Sequence, residues 1–250
     1  CRSPTPLGPY NYYLQEQGLL QAFYEDYQDR AAQGWIKDAV RDSVLPTEAF
    51  EDAYIGRRAA AWIEAVPDDF PWHYFVSFVG PHNPFDPPTE YADRYRDAPM
   101  PEAIQDTLEN KPAWVKQRVV DISPEMVAVT RRQYCGLIEL IDDQVGMMLD
   151  ALERRGMLDH TYIVFSSDHG EMLGDHGLYT KSVAYEGALH VPLIIAGPDI
   201  AGGRTSDALV ELIDVNATIC ELAGLPPQAN IDARSLGPVL RGEATAHRSE

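Results

Sequence analysis

Residues 161–181 read TYIVFSSDHGEMLGDHGLYTK and are the most informative segment of the chain. Residues 161–165 form a continuous apolar run, and a similar run follows at residues 191–196. Apolar runs without polar alternation are typical of strands that are buried on both faces, as in a parallel sheet covered by helices. We therefore expect an α/β fold in which a mostly parallel central sheet is sandwiched by helices.

Helical signals surround these two runs. Ser123 followed by proline is a strong helix start, and apolar residues then recur at helical spacing over residues 124–155. Thr47 is the predicted N-cap of an earlier helix, and Asp214 is the predicted N-cap of the last one. A further aromatic and β-branched run at residues 74–79 is predicted to be a short strand.

The composition excludes some classes of partner. The chain has 250 residues and a formal net charge of −19, which disfavours binding to nucleic acid or to an anionic membrane surface. No stretch reaches the roughly 18 apolar residues that a membrane-spanning helix needs. The three cysteines are too few for a disulfide framework. Nothing in the sequence indicates the oligomeric state or the compartment.

The first candidate site residues come directly after the strand at residues 161–165. Asp168 and His169 offer a carboxylate oxygen and an imidazole nitrogen, which together suit a divalent cation. Their place at the carboxyl end of a strand is where open α/β sheets bind ligands. Gly170 is expected to let the backbone turn sharply there. Taken alone, these residues also fit an ordinary turn.

Two further candidates are a lysine and a histidine. Lys181 is a single cation near the proposed metal ligands, where an anion bound to the metal would need a partner. His82 lies between prolines, just after the strand predicted at residues 74–79, on a stiff loop that can aim its ring. A histidine there could donate a proton to a leaving oxygen. Each residue alone also fits an exposed loop side chain.

In their order along the chain, these motifs resemble the sulfatase family of the alkaline phosphatase superfamily. The matching segments are PHNPF (81–85), IDDQVG (141–146), SSDHGEMLGDHGLYTK (166–181), HVPLIIAGP (190–198) and LIDVNATICELAGLPP (212–227). The resemblance implies an alkaline-phosphatase-like fold. It also implies hydrolysis of a sulfate monoester of a small molecule or a carbohydrate.

The resemblance also implies roles for individual residues. Asp168 and His169 are expected to bind a divalent metal, usually calcium in this family and sometimes magnesium or manganese. Lys181 is expected to bind the sulfate, and His82 to contact the ester or protonate its leaving oxygen. The motif also fits phosphonate monoester and phosphodiester hydrolases of the superfamily. A degenerate, non-catalytic family member is the third alternative.

The chain departs from the family pattern at its beginning. Residues 1–5, CRSPT, do not match the Cys/Ser-x-Pro-x-Arg motif whose first residue becomes the formylglycine nucleophile. The early aspartate pair that completes the metal site is also missing. We expect residues 1–250 to be a partial sulfatase catalytic domain, incomplete at both ends, without the nucleophile segment and the C-terminal subdomain. The polypeptide alone is then expected to hydrolyse no ester.

Overall fold

The computed structural model describes residues 5–36 and 39–249. The segment compared with the nucleophile motif therefore lies outside the described residues, apart from its last position. The chain divides into two compact units, Cys1–Arg155 with Glu171–Val183, and Gly156–Gly170 with Ala184–Glu250. In the part of the chain that the structure describes, no helix is both long and apolar enough to cross a membrane.

The first unit is built from helices that surround an apolar core. The long helix at its centre begins as predicted, because the Oγ of Ser123 accepts a hydrogen bond from the backbone N–H of Met126. The helices of this unit are α1 (Pro9–Glu16), α2 (Leu20–Ala32), α3 (Glu51–Ala65), α4 (Thr89–Tyr95), α5 (Ala113–Lys116) and the long helix α6 (Pro124–Arg154). The core between α3, α4 and α6 contains Val40, Phe50, Ala53, Phe85, Tyr91, Leu137, Leu140 and Tyr179.

The start of α3 differs from the prediction. Thr47 opens a single 3₁₀ turn, and α3 itself begins only at Glu51. Phe50 separates the two elements with an extended backbone (φ −65°, ψ 146°), and its ring is buried in the core. The hydroxyl of Thr47 donates a hydrogen bond of 3.0 Å to Glu90 and does not cap the helix. Burial of one aromatic ring therefore overrides a local capping signal.

The run at residues 74–79 is not part of a sheet among the described residues. Burial nevertheless alternates along it as in a strand, since Tyr74 is half-buried whereas Phe75 is 79% exposed. The ring of Tyr74 packs 4.1 Å from that of Trp62 on α3. The predicted strand at residues 74–79 is therefore not observed, because one face of this run packs on α3 and the described part of the chain provides no strand to pair with it.

The second unit contains the two predicted strands, β1 (Ile163–Ser166) and β2 (Leu193–Ala196). They pair antiparallel, with Ile163 opposite Ala196, so the parallel central sheet is not confirmed. A parallel connection needs a crossover of a dozen or more residues, usually a helix. The segment between β1 and β2 contains no α-helix longer than the single-turn α7 (Glu186–Leu189). Ile194 is 61% exposed, so these strands are not buried on both faces within the described residues.

The last predicted helix also begins differently. Helix α8 runs over Ile213–Leu222 and includes Asp214, which therefore is not its N-cap. The Asp214 carboxylate is fully buried and accepts hydrogen bonds from the backbone N–H groups of Glu211 and Arg234. A single-turn helix, α9 (Gly237–Leu240), follows. Asp214 thus organises the segments around α8 instead of capping it.

Candidate active site

The loop that carries His82 is attached to helix α3 through a buried carboxylate. Asp52 on α3 accepts one hydrogen bond from the N–H of Val79 at 2.7 Å and another from the N–H of Gly80 at 2.9 Å. The two bonds use different carboxylate oxygens, and Asp52 is only 1% exposed. Charge-assisted bonds of this kind are stronger than neutral ones. The backbone just before His82 is therefore held in a fixed place.

His82 meets Lys181, which is 99 positions away in the sequence. The Nζ of Lys181 lies 2.7 Å from the Nε2 of His82, and the Nδ1 of His82 lies 2.7 Å from the carbonyl oxygen of Asn83. An ammonium group only donates hydrogen bonds, so Nε2 of His82 accepts from Lys181 and Nδ1 donates to Asn83. His82 is exposed and Lys181 is half-buried, which leaves the pair open to a ligand.

A glutamate that the sequence prediction did not include lies close to this pair. Glu171 accepts hydrogen bonds from the backbone N–H groups of Thr180 and Leu173. Burial raises the pKa of the Glu171 carboxyl, although these two hydrogen bonds and the nearby Lys181 act in the opposite direction. Because it accepts these two hydrogen bonds, the carboxylate of Glu171 holds the backbone next to Lys181 in place.

Asp168 and His169 lie in the second unit, directly after β1. The Nδ1 of His169 donates to the carbonyl of Gly170 at 2.9 Å, and its Nε2 faces the Asp168 carboxylate at 3.5 Å. Fixing one ring nitrogen on a carbonyl leaves the other free to bind a metal, which is the usual arrangement of a ligating histidine. The Asp168 side chain is 84% exposed and accessible. The two donors fit part of a divalent-cation site.

These two donors do not form a complete site by themselves. Among the residues that the structure describes, no group of three or more histidine, cysteine, aspartate or glutamate side chains is arranged to hold a metal ion. Calcium takes six to eight oxygen ligands, so Asp168 and His169 can provide only a part of its shell.

Gly170 has a different role from the one expected. Its backbone is not in the left-handed region, so no sharp turn requires a glycine there. A Cβ at this position would instead overlap the carbonyl oxygen of Gly187. The N–H of Gly170 donates to the carbonyl of Ala188 at 2.8 Å. A close approach of two backbone segments therefore explains this glycine.

Two other acidic motifs have structural partners. Asp143 on α6 accepts a 2.6 Å hydrogen bond from the hydroxyl of Tyr91 on α4. Asp175, in the second Asp-His-Gly of the long motif, accepts hydrogen bonds from Arg131 at 2.7 Å and from the N–H of Ile104 at 2.8 Å. The first contact attaches α4 to the long helix α6. The contacts of Asp175 attach its loop to Arg131 on α6 and to the segment around Ile104. Neither carboxylate needs a metal to explain its position.

The structure thus brings the predicted residues together in two pairs, His82 with Lys181 and Asp168 with His169. The supporting residues Asp52 and Glu171 were missed by the sequence analysis. Glu171 was visible as an acid within the long motif, whereas Asp52 carries no local signal because its partners lie 27 and 28 positions away. The catalytic and metal-binding roles of the four predicted residues stay predictions.

Comparison with known proteins shows where the chain belongs. Residues 11–225 match the model of the sulfatase family. The chain is 37% identical over 185 residues to the choline-sulfatase of Rhizobium meliloti (strain 1021), covering 69% of this chain and 36% of that protein. It is 34% identical over 181 residues to an arylsulfatase of Clostridium perfringens (strain 13 / Type A), covering 68% and 37%. The chain therefore belongs to the sulfatase family, within the alkaline phosphatase superfamily.

A solved structure supports the same fold. The phosphonate monoester hydrolase of Agrobacterium radiobacter superposes with a TM-score of 0.81 at 25% identity, covering 96% of this chain and 51% of that one. The sulfatase and alkaline-phosphatase type of fold that the motifs implied is thereby confirmed. The chain spans 36% and 37% of the two curated relatives described above and about half of this structural neighbour.

Proposed function

We propose that this chain carries the leaving-group and metal-binding residues of an enzyme that hydrolyses a sulfate monoester. The observation that carries the proposal is the 2.7 Å contact between Lys181 Nζ and His82 Nε2. Two separate motifs supply these residues, and the fold joins them at an accessible point. Membership of the sulfatase family and similarity to two proteins named sulfatases support the same reaction class.

The chemistry follows from the charges of the pair. The ammonium of Lys181 attracts an anionic ester, and a second of its three N–H donors can bind an ester oxygen while the first stays on His82. As a nucleophile from outside residues 1–250 forms a bond to sulfur, the bond between sulfur and the alcohol oxygen breaks, and its electron pair stays on that oxygen. The proton that Lys181 and His82 share then passes to the departing oxygen, which leaves as an alcohol. The hydrogen bond that His82 Nδ1 donates to the carbonyl oxygen of Asn83 keeps the ring of His82 oriented during this transfer.

We further propose that Asp168 and His169 hold a divalent cation, with calcium first and magnesium or manganese as alternatives. When bound, such an ion acts as a Lewis acid on the sulfate oxygens. The covalent nucleophile is proposed to be a formylglycine outside residues 1–250, because the Cys/Ser-x-Pro-x-Arg motif occurs nowhere in these residues. Residues 1–250 alone are therefore expected to bind an anion but not to turn it over.

Two alternative functions compete with this one. The likeness to a phosphonate monoester hydrolase favours a related reaction, cleavage of a phosphonate monoester or a phosphodiester by the same residues. A non-catalytic family member is disfavoured, because a drifted site would have lost at least one of the four residues. The substrate is proposed to be a sulfate ester of a small molecule, which the similarity to choline-sulfatase supports, or of a carbohydrate.

Initial rates separate these functions. The full-length gene product and residues 1–250 alone are each assayed with 4-nitrophenyl sulfate and with 4-nitrophenyl phenylphosphonate. We expect faster hydrolysis of the sulfate by the gene product and no turnover by residues 1–250. Faster hydrolysis of the phosphonate would establish the second function. Turnover by residues 1–250 alone would contradict the external nucleophile, and no hydrolysis of either ester would favour the non-catalytic alternative.

A further inference from the structure

Lys181 lies on a strained stretch of backbone. The residues on either side of it, Thr180 (φ +65°) and Ser182 (φ +71°), both adopt the left-handed conformation. This conformation is unfavourable for residues with a side chain, and most of all for a β-branched residue such as threonine. Such strain persists only where the surrounding structure holds the backbone in place. The contacts that hold this stretch therefore determine where the ammonium of Lys181 points.

Two charged side chains make these contacts. Glu171 accepts a hydrogen bond from the N–H of Thr180. Arg118 donates from Nη2 to the carbonyl oxygen of Lys181 at 2.6 Å and to the hydroxyl of Thr180 at 3.2 Å. The peptide units around Thr180 and Lys181 are thus held by a carboxylate at one end and by a guanidinium at the other.

The guanidinium of Arg118 bonds to the Thr180–Lys181 segment. Within the described residues, the hydrogen bonds of its guanidinium end on Thr180 and Lys181, and its buried Nε has no partner there. A buried donor without a partner costs free energy, so general stability does not explain the placement of this side chain. The adjoining Val120 donates to the carbonyl of Gly177 at 2.8 Å, which holds the segment of Arg118 beside the segment of Lys181.

We propose that Arg118 is a positioning residue of the active site. By fixing the backbone of Lys181, it keeps the ammonium within hydrogen-bonding distance of His82 Nε2 and thereby keeps the proton of His82 on Nδ1. Arg118 lies outside the family motifs, and the sequence alone predicted no role for it. The role of Lys181 in catalysis rests on the proposed function, whereas the effect of Arg118 on the Lys181–His82 contact does not.

The ring nitrogens of His82 report this contact directly. In ¹⁵N NMR spectra of the 250-residue chain, the His82 signals are identified by their loss in the variant His82→Gln. We expect the unaltered chain to show a protonated Nδ1 and an unprotonated Nε2. In Arg118→Gln the two signals are expected to move toward each other, because release of Lys181 lets both tautomers form.

Lys116→Gln is the matched control. It removes a cation two positions away whose Nζ contacts the carbonyl of Glu109 instead of the Lys181 backbone. The His82 signals are expected to stay unchanged in this variant. Unchanged His82 signals in a folded Arg118→Gln variant would overturn the proposal. If Arg118→Gln does not fold, Arg118→Lys keeps the charge but not the planar donor group, and unchanged His82 signals there would overturn it equally.

Kinetics of the full-length gene product give a second readout. Misplacement of a catalytic group by about 1 Å can cost about 100-fold in rate. We expect Arg118→Gln to lower kcat by about 10- to 100-fold with a smaller change in KM, and Lys116→Gln to leave both unchanged. A loss confined to KM would contradict positioning. If the unaltered gene product hydrolyses no ester, the proposed function fails, whereas the NMR comparison still decides the role of Arg118.

Discussion

Asp52 and Asp214 are fully buried carboxylates that hold backbone segments in place. Asp52 in the first unit accepts two consecutive backbone N–H groups just before His82. Asp214 in the second unit accepts two backbone N–H groups and also bonds to the side chains of Arg248 and His247. Each carboxylate thus joins segments that are distant in sequence. Both its negative charge and its two acceptor oxygens are needed to make these bonds.

Replacing Asp52 by asparagine removes one of its two acceptor oxygens. The new amide N–H₂ then faces a backbone N–H in a buried place, and the lost bond costs about 2 kcal/mol. We expect Asp52→Asn to lower the free energy of unfolding by that amount in urea titrations. The same change at Asp142, which is exposed on α6, is the control and should have little effect. Equal stabilities of the two variants would show that Asp52 does not anchor the loop.

Asp214 makes the stability of the protein depend on pH. Burial opposes ionisation of its carboxyl, but hydrogen bonds from Arg248 and from the backbone of Arg234 and Glu211 outweigh it and lower the pKa. A lowered folded-state pKa stabilises the protein above the unfolded value of about 3.9, and this stabilisation is lost as the pH falls through the folded-state pKa.

We therefore expect Asp214→Asn to destabilise the protein at pH 7 by about 3 kcal/mol, because Arg248 loses its buried ionic partner and keeps only the exposed Glu211. Its thermal midpoint should then fall less between pH 5 and pH 3 (values chosen around the unfolded pKa) than that of the unaltered protein. Asp207→Asn, at an exposed position of the same unit, is the control. An identical pH dependence in Asp214→Asn and the unaltered protein would contradict this role.

The sequence was informative about some of these residues and not about others. His82, Lys181, Asp168 and His169 stand in short motifs whose residue types are tied to chemistry, so they could be selected without a structure. The contact of His82 with Lys181 could not be derived, because it joins residues 99 positions apart. The supporting contacts were missed for the same reason. Arg118, for example, reaches Lys181 across 63 positions from an irregular segment.

At the scale of elements, the packing of α3 on α6 depends on a glycine. A Cβ added to Gly56 on α3 would lie 2.5 Å from the Cβ of Gln144 on α6, which is closer than real side chains approach. Gln144 is buried, and its amide donates to the carbonyl of Leu140 at 3.3 Å, so it has little room to move. The two helices can therefore meet closely only while position 56 has no side chain.

We expect Gly56→Ala to destabilise the protein by about 1–3 kcal/mol through overpacking. This loss should exceed the gain of up to about 1 kcal/mol that alanine brings to a helix interior. Gly146→Ala on α6 is the matched control, since a Cβ there meets no atom within 4 Å, and it should be stabilising. Thermal unfolding of both variants measures the difference. Stabilisation by both substitutions would contradict close packing at Gly56.

The elements that were predicted well carry their signals locally. Helix α6 is marked by Ser123 and Pro124 at its start, and both lie at the predicted places. Gly156, just after its end, has the left-handed backbone (φ +65°) that glycine adopts readily. The pairing of β1 with β2 was not predictable, because the direction of a strand pair depends on the path of the connecting chain. The run at residues 74–79 shows the same limit, since an apolar run indicates burial but does not name the partner that covers it.

At the scale of the whole molecule, the strongly acidic charge and the proposed anionic substrate have to be reconciled. A formal charge of −19 repels anions at long range, so capture of a sulfate ester depends on local cations. Lys181 is such a cation. The carboxylate of the nearby Glu171 is hydrogen-bonded to the backbone N–H groups of Thr180 and Leu173 and not to the ammonium of Lys181. In the second unit, a metal ion held by Asp168 and His169 would likewise be a positive charge that attracts an anion.

His82 and Lys181 are proposed to act on the ester as one unit, and a double-mutant cycle measures whether they do. The kcat/KM of the full-length gene product for 4-nitrophenyl sulfate is measured for His82→Gln, Lys181→Gln and the double variant. We expect each single substitution to cost about 10²- to 10⁴-fold. The double variant should lose little more than the worse single one, because groups that act together are not additive. Losses that multiply in the double variant, or single variants with unchanged kcat/KM, would contradict the claim.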